Sequence, residues 1–432
     1  MAILTSLFSG VSGLNAFGTG LSVISNNIAN MNTVGFTSGD VLFADVINQS
    51  LGGREDVQLG RGVFVNDIRT SFAQGSFEST GNGLDMSIEG EGFFVVKDSA
   101  GAEFFTRTGA FNLDANGLMV NPDGLQVQGF QADQTGVITG QFGSINLASG
   151  SIQPRATTKI DMIANLDSGG VIPAAFDVNN PAATSNFSTS ITLHDSLGNS
   201  HLTTVYFRKS AEAATGNTWE YFAVVDAANS TSGAATIMAN GTLGFGTDGR
   251  LVTESAITYP TGGFDFAGGP AQNQTITLDF GVNSGSEGGT GFGGVTQFGS
   301  TSAVLNQTQD GFGAGSLRNV AIDKSGIVTG LFTNGKSRTL AQISLARFNN
   351  AQGLNKLGDN LFTLSTSSGE ANIGVPNAAG VGKILANTLE LSNVDLAQQF
   401  VKMIEYQRGF QASSRVITTT DELLQELVNL KR

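Results

Sequence analysis

Apolar residues recur at seven-residue spacing at both ends of the chain, and this pattern constrains the fold more than any other feature. The C-terminal row contains Leu396, Met403, Phe410, Ile417 and Leu424, with Phe400 and Val428 at intervening positions. The N-terminal rows contain Leu7, Leu14, Leu21 and Ile28, and beside them Phe17, Ile24 and Met31. Such spacing is typical of helices that pack as coiled coils. It predicts one long helix at each end, paired within the chain or with further subunits.

Glycines weaken the N-terminal helix pattern. Four of them interrupt it, namely Gly10, Gly13, Gly18 and Gly20. Each costs a helix interior about 1 kcal/mol relative to alanine. We therefore expect this helix to need a partner, and we expect the asparagine-rich segment 26–35 to end it.

The C-terminal helix has its own boundary signals. Ser392 followed by Asp395 predicts a helix cap. The β-branched run 416–420 is a weak point, because Thr419 and Glu422 could cap a second helix there.

Between the ends the apolar period changes from seven to two, which predicts short strands. Apolar residues flank the turn 195–199 as a hairpin would require, and similar strand and turn patterns run through 93–106 and 219–225. Eight glycines in 281–300 suit a loop that returns from one β domain to another. The fold class expected is mainly β and multidomain, with nested β domains and an α-helical coiled-coil domain formed by the terminal segments.

Three domains are expected from these patterns. Residues 1–70 and 371–432 form a terminal assembly domain, 71–150 and 301–370 an inner β domain, and 151–300 an inserted outer β domain.

Charge and composition exclude several functions. The formal net charge of −14 argues against nucleic acid and anionic membranes as partners. With no cysteine and two histidines in 432 residues, thiolate chemistry and an all-histidine metal site are excluded. No metal or cofactor is expected.

The N-terminal stretch is neutral. Its first ionisable side chain is Asp40, so an ordinary secretory signal with a cationic start is not expected. Serines and asparagines recur through residues 6–30, and on that ground we expect no membrane insertion.

Three motifs suggest chemistry, each with a more ordinary interpretation. Segment 244–249 matches the dinucleotide-binding spelling, but a strand pattern follows it where a helix is required, which favours a glycine-rich hairpin turn. Glu89 and Glu91 would share one face of a strand about 7 Å apart, a spacing used in glycoside hydrolysis, although solvated carboxylates are commoner. His194, Asp195 and His201 could meet at one hairpin and hold a metal, but they supply only three ligands.

Short motifs at both ends resemble those of the rod and hook proteins of the bacterial flagellum. The N-terminal motifs are Ser-Gly-Leu-Asn-Ala at 12–16, Ser-Asn-Asn-Ile-Ala-Asn at 25–30 and Thr-Val-Gly-Phe at 33–36. Further motifs lie at 90–95, 105–111 and 389–408, and the segments 195–199, 205–207 and 309–312 are similar to hook rather than distal rod members. Apart from 195–199 and 205–207, the stretch 168–300 matches no pattern residue by residue.

The resemblance implies a subunit that polymerises under a cap protein into the curved tube joining the motor's rod to the filament. It implies terminal helices around a central channel, export by the flagellum's own route without a cleavable signal, and an extracellular location. The partners implied are other copies of the chain, the hook cap protein, the distal rod protein and the hook-filament junction protein. The assembly residues expected are those of the seven-residue rows, namely Leu7, Leu14, Leu21, Ile24, Ile28, Leu396, Phe400, Met403, Phe410, Ile417, Leu424 and Val428.

Two alternatives remain open at this stage. One is a distal rod subunit of the same family. The other is a secreted carbohydrate-active enzyme that uses Glu89 and Glu91.

Overall fold

The structure, a computed structural model, describes residues 2–46, 49–50, 58–147, 151–378 and 380–429. Strands account for 41% of the chain and helices for 16%, which confirms the mainly β fold. The chain forms two compact units. Unit 1 comprises Met1–Gly150, Leu317–Leu331 and Ser337–Arg432, and unit 2 comprises Ser151–Ser316 and Phe332–Lys336.

Unit 1 contains the two long helices and most of the strands. The helices are α1 (Ala2–Ala29) and α2 (Leu396–Asn429). The strands before unit 2 are β1 (Gly39–Asp45), β2 (Gln49–Ser50), β3 (Gln58–Leu59), β4 (Val63–Thr70), β5 (Phe77–Ser79), β6 (Met86–Glu89), β7 (Phe93–Lys97), β8 (Glu103–Thr106), β9 (Asn112–Leu113), β10 (Met119–Val120), β11 (Gln126–Ala132) and β12 (Ile138–Ser144).

Unit 2 holds two sheets and two single-turn 3₁₀ helices, Pro181–Ala183 and Ala227–Asn229. Its strands are β13 (Lys159–Asp167), β14 (Phe187–His194), β15 (Ser200–Ala213), β16 (Gly216–Val225), β17 (Thr236–Phe245), β18 (Leu251–Glu254), β19 (Thr277–Asp279), β20 (Thr296–Phe298) and β21 (Ala303–Gln309). One sheet has the order β14-β15-β16-β17-β18, and the other places β13 beside β19, β20 and β21. The buried core between them includes Trp219, Tyr221 and Phe280.

After unit 2 the chain completes the sheets of unit 1. The remaining strands are β22 (Leu317–Ile322), β23 (Ile327–Phe332), β24 (Ser337–Ile343), β25 (Leu345–Arg347), β26 (Asn355–Gly358), β27 (Leu361–Thr363), β28 (Asn372–Gly374), β29 (Lys383–Ala386) and β30 (Thr388–Glu390), with a 3₁₀ turn at Ala351–Gly353. The main sheet follows the order β22-β23-β24-β11-β7-β8-β27-β26. Strands from both sides of unit 2 in the sequence are thus interleaved in one sheet.

The boundaries of α1 and α2 have local causes. Helix α1 ends at Ala29, within the segment 26–35 that the sequence predicted would end it, and Gly35 at the end of that segment takes a left-handed conformation (φ 69°). At α2 the cap is Asp395, whose Oδ1 accepts hydrogen bonds from the amides of Ala397 (2.9 Å) and Gln398 (3.3 Å). The expectation that Ser392 is the capping residue is therefore wrong, because the cap lies three residues later and the helix starts at Leu396.

Helix α2 is continuous through its β-branched run. The Thr418 and Thr420 hydroxyls donate to the carbonyls of Arg415 (2.9 Å) and Val416 (2.6 Å). These hydroxyls bond within the helix rather than capping a new one, so no second helix begins at Thr419.

Two loops of unit 2 bear on the sequence predictions. The hairpin around 195–199 is confirmed, since β14 and β15 pair antiparallel in full register. Segment 244–249, which matches the dinucleotide-binding motif in sequence, forms a turn between β17 and β18, where Gly246 N donates to Arg250 O.

The glycine-rich segment 281–300 is not the return between units. It folds against β18, where Gly285 N donates to Val252 O, and then forms β20. Unit 2 runs on to Ser316, beyond the expected boundary at residue 300, because β21 pairs with β13. The division of unit 1 into terminal and inner domains remains a prediction.

Candidate assembly surface

Helices α1 and α2 pack antiparallel, with Gly10 opposite Ile417 and Gly20 opposite Tyr406. We call them the helix pair. A Cβ atom on Gly20 would lie 2.7 Å from the Tyr406 ring, and one on Gly409 of α2 would lie 2.7 Å from the Phe17 ring. Glycine therefore allows the two backbones to approach closely at these positions. This contact accounts for glycines that would otherwise only weaken α1.

The seven-residue rows lie in and beside this contact. Ile24 is buried, and most other row residues are half-buried, namely Leu7, Leu14, Leu21, Ile28, Leu396, Met403, Phe410, Ile417 and Leu424. Phe400 is exposed, and the side chain of Val428 lies outside the described residues. Pairing within one chain therefore occurs, whereas a role for these residues between subunits remains a prediction.

An aromatic cluster that the sequence did not predict lies at the middle of the helix pair. The rings of Phe17, Phe43 and Tyr406 have centroids 5.6 to 6.1 Å apart. Tyr406 lies outside the seven-residue row, and Phe43 comes from β1. The cluster joins the β1–β4 ribbon to both helices. A usable signal was Gly20, since a glycine in one helix can face a large ring in the other.

Two asparagine side chains, the buried Asn27 and the half-buried Asn393, connect the helix pair to the β strands of unit 1. Asn27 Nδ2 donates to Gly39 O (2.8 Å), and Gly39 N donates back to Asn27 Oδ1 (3.0 Å). Asn393 Oδ1 accepts from Ser38 N (2.8 Å), and its Nδ2 donates to Ser71 O (2.8 Å). Two asparagines thus fix the segments that leave α1 and enter α2.

Two ion pairs support the same junction. Lys402 Nζ lies 2.5 Å from Asp40 Oδ1 at a partly exposed position. Arg107 and Glu390 form a buried pair at 3.4 Å, with their side chains 6% and 4% exposed. Arg107 also donates to the carbonyls of Gly90 and Gly92, and Glu390 Oε1 accepts from Gly75 N (3.0 Å). The charges of Arg107 and Glu390 therefore compensate each other, and both side chains also form hydrogen bonds to the backbone.

The helix pair leaves one contiguous apolar area on α2 uncovered. Phe400, Val401 and Ile404 are 50%, 58% and 50% exposed and lie within little more than one turn of the helix. We call these three residues the apolar patch. Phe8 and Val11 of α1 are also exposed, while the rest of that face carries neutral polar residues such as Asn15 and Thr19.

The carboxylates considered for catalysis do not form a pair. Glu89 is the last residue of β6, but Glu91 lies beyond Gly90 (φ 108°), outside any strand. Glu89 forms an ion pair with Lys383 at 3.0 Å, and Glu91 forms an ion pair with Arg347 at 3.1 Å. Glu91 lines a cavity of about 460 Å³, and Glu89 is not among its lining residues. The expectation that Glu89 and Glu91 share one face of a strand is therefore wrong.

The side chains of Asp195 and His201 in unit 2 form hydrogen bonds that stabilise the hairpin. His201 Nε2 lies 2.9 Å from Asp195 Oδ2, and Nδ1 lies 3.2 Å from Asn229 Oδ1. His194 does not join them, and its buried Nδ1 has no hydrogen-bond partner. In the described part of the chain, no group of three or more histidine, aspartate or glutamate side chains is placed to hold a metal.

Helix α1 is long and apolar enough over Thr5–Ala29 to span a membrane. The sequence argument that its serines and asparagines exclude a span was therefore too strong. The core helices of soluble proteins can have the same length and apolar composition. In this structure one side of α1 packs on α2.

Family models cover most of the chain. The matches are a flagella basal body rod protein model at 7–37, a flagellar hook protein FlgE/F/G D1 domain at 87–168, a flagellar basal body protein FlaE D2 domain at 165–312 and a flagellar basal body rod FlgEFG protein C-terminal model at 385–430.

Curated relatives match over their full length. The flagellar hook protein FlgE of Treponema pallidum is 37% identical, with 100% of each chain covered, and that of Escherichia coli is 36% identical, with 98% of each covered. Among solved structures, the Helicobacter pylori flagellar hook protein FlgE2 aligns with 71% of this chain and 98% of its own, at a TM-score of 0.47 and 16% identity. On the strength of the full-length sequence matches, this chain belongs to the flagellar hook protein family.

Proposed function

We propose that this chain is a structural subunit that polymerises through its helix pair into the flagellar hook, the curved tube that transmits torque from rod to filament. The observation that carries this proposal is the apolar patch of Phe400, Val401 and Ile404, which the paired helices leave exposed. Contiguous exposed apolar surface commonly marks a protein contact. Further copies of the chain would cover it.

The neutral surface of α1 supports a place beside a central channel. No residue of α1 is ionisable, and its exposed face carries Asn15, Thr19, Ser22 and Asn26. An exported unfolded chain carries charges of both signs, and a neutral polar wall offers it no ion pairs. This role belongs to the assembled tube.

We also propose a location and partners, in keeping with the family. The subunit is exported by the flagellum's own route to the outside of the cell, where it contacts the hook cap protein, the distal rod protein and the hook-filament junction protein. Nucleic acid is not a partner, in keeping with the net charge of −14. The glycine contacts of α1 with α2 support protein packing rather than membrane insertion.

The alternatives are less well supported. The models at the two ends are described as those of basal body rod proteins, but the relatives that match over the full length are named flagellar hook proteins. An enzyme acting through Glu89 and Glu91 would need two carboxylates facing one substrate, whereas each is in a separate ion pair. We propose that the chain is not an enzyme.

Electron microscopy of the purified chain under polymerising conditions tests the proposal. We expect tubes from the parent chain, and none after deletion of residues 1–30 or from Phe410→Asp, because a carboxylate in the helix contact has no partner. Glu405→Ala is the matched control on the exposed side of α2 and should polymerise normally. Glycosidase activity without tubes would contradict the proposal.

A further inference from the structure

The helix pair carries a groove of about 600 Å³ that is lined almost entirely by small residues. They are Thr5, Ser6, Ser9 and Gly10 of α1, Gly60 before β4, and Ala412, Ser413 and Val416 of α2. None of these residues is ionisable. A neutral groove with short side chains has room for bulky apolar groups, and it offers no charge to a polar ligand.

The apolar patch has the opposite shape. Phe400 and Ile404 are large side chains that protrude from α2. Lys402 is the only ionisable residue between 396 and 404, and its ammonium group is bound to Asp40. Burying these three side chains therefore takes no unpaired charge of segment 396–404 out of water, and the exposed Arg408 lies one helical turn beyond Ile404.

One copy cannot fill its own groove. Ile404 and Ala412 lie eight residues apart on the same continuous helix, which is about 12 Å along the axis. The patch and the groove therefore keep a fixed separation, and a patch can reach a groove only on another copy.

We infer that the apolar patch of one copy inserts into the small-residue groove of the next copy, head to tail. This inference rests on the proposed function and specifies its contact. Because the two surfaces differ, the contact is heterologous, and repetition adds subunits without closing a dimer. That geometry suits a helical tube.

The absence of cysteine from the chain permits a direct test by disulfide cross-linking. In the double variant Ile404→Cys with Ala412→Cys, oxidation after assembly should give a ladder of covalent dimers, trimers and higher multimers. Each single variant should give dimers at most. A bond within one copy is excluded, because disulfides need Cα atoms within about 7 Å. If the parent chain forms tubes and the assembled double variant gives no ladder, the inference is wrong and the proposed function stands.

Groove filling provides a second readout that does not depend on cross-linking. Ala412→Phe should abolish tubes, whereas Gln411→Phe, the exposed neighbour outside the groove, should not. Ile404→Ser should raise the critical concentration for tubes about tenfold or more. Leu423→Ser, exposed on α2 outside the patch, should leave it unchanged. Normal tubes from Ala412→Phe would overturn the inference, and absence of tubes from the parent chain would overturn the proposed function itself.

Discussion

Asn27 of α1 and Gln399 of α2 are hydrogen-bonded inside the helix pair, with Asn27 Nδ2 donating to Gln399 Oε1 over 3.2 Å. The side chains are 1% and 6% exposed. Asn27 also exchanges two hydrogen bonds with the backbone of Gly39. A buried amide of this kind fixes the register of two helices, since any slip leaves polar groups unpaired.

Asn27→Ala should therefore destabilise the helix pair. It leaves the Gly39 backbone groups and the Gln399 amide without their partner, at a cost of about 1–3 kcal/mol. Urea unfolding followed by circular dichroism at the helix band measures this cost. Asn15→Ala, on the exposed face of α1, is the control. Equal unfolding midpoints for both variants would show that the buried amide does not hold the register.

Two glycines of α1 should respond in opposite directions to the same substitution. A Cβ on Gly18 meets only Phe410, at 3.9 Å, so Gly18→Ala should stabilise the helix by about 1 kcal/mol. A Cβ on Gly20 would lie 2.7 Å from the Tyr406 ring, so Gly20→Ala should destabilise the pair by about 1–3 kcal/mol despite its better helix propensity. Thermal unfolding followed by the helix signal measures both effects. Stabilisation by both variants would contradict the close contact between Gly20 and Tyr406.

The buried ion pair of unit 1 should matter more than an exposed one. Glu390→Gln leaves the Arg107 guanidinium without a countercharge, and we expect a loss of about 3–5 kcal/mol in unfolding free energy. Glu91→Gln breaks the exposed pair with Arg347 and should cost less than about 1 kcal/mol. Chemical denaturation of the full chain compares them. Similar losses would show that burial does not set the strength of these pairs.

The sequence predicted the helices and much of the hairpin pattern because these features depend on local periodicity. The row from Leu396 to Leu424 lies within one helix, and the turn at 195–199 spans five residues. Both patterns can therefore be recognised within one continuous stretch of sequence. The junction was not predictable in this way. Asn27 and Gln399 are 372 residues apart, and Arg107 and Glu390 are 283 residues apart, so their pairing depends on how the whole of unit 1 closes.

The assembly contacts were only partly predictable. Glycine spacing indicated that α1 needs a partner, but the choice of Tyr406 as the facing ring depends on the helix register. Glu89 and Glu91 were expected on one face of a strand because the alternation of side chains was assumed to continue through Gly90. The positive φ of Gly90 ends that strand and separates the two carboxylates.

The stability of unit 2 should fall as the pH rises towards 7. Burial, together with the nearby carboxylates of Asp279 and Glu287, raises the pKa of Glu254 to about 7. In the unfolded chain this pKa is about 4.3, so the folded state binds the proton more tightly. The contribution to stability is complete below about pH 4.3 and is lost as the pH rises through about 7.

Glu254→Gln should remove this part of the pH dependence and raise the melting temperature more at pH 8 than at pH 5. The fluorescence of Trp219, the single tryptophan, reports on unit 2 from its buried core. Asp226→Asn changes an exposed carboxylate of the same unit and is the control. An unchanged difference in melting temperature between the two pH values in Glu254→Gln would contradict the assignment.

Unit 2 should be removable at a site that the structure identifies and the sequence did not. Ile152 N donates to Gly315 O (2.9 Å), and Gly315 N donates to Ile152 O (3.2 Å), so the chain enters and leaves at neighbouring points. A short glycine-serine linker in place of 151–316 can therefore join the ends without strain on unit 1. Deletion of 151–300 instead leaves β21 without its partner β13 and should aggregate through that free edge.

We expect the 151–316 replacement to form tubes that are straighter than those of the parent chain. The helix pair and the apolar patch are intact in this variant, so the contacts proposed for polymerisation remain. What it loses is the surface of unit 2, which we expect to supply polar contacts, bridged by water, that can change partners at low cost as a curved tube rotates. Electron micrographs of both tubes measure the curvature. If the replacement folds and forms no tubes, unit 2 is itself an assembly interface; if its tubes are as curved as the parent's, curvature is set within unit 1.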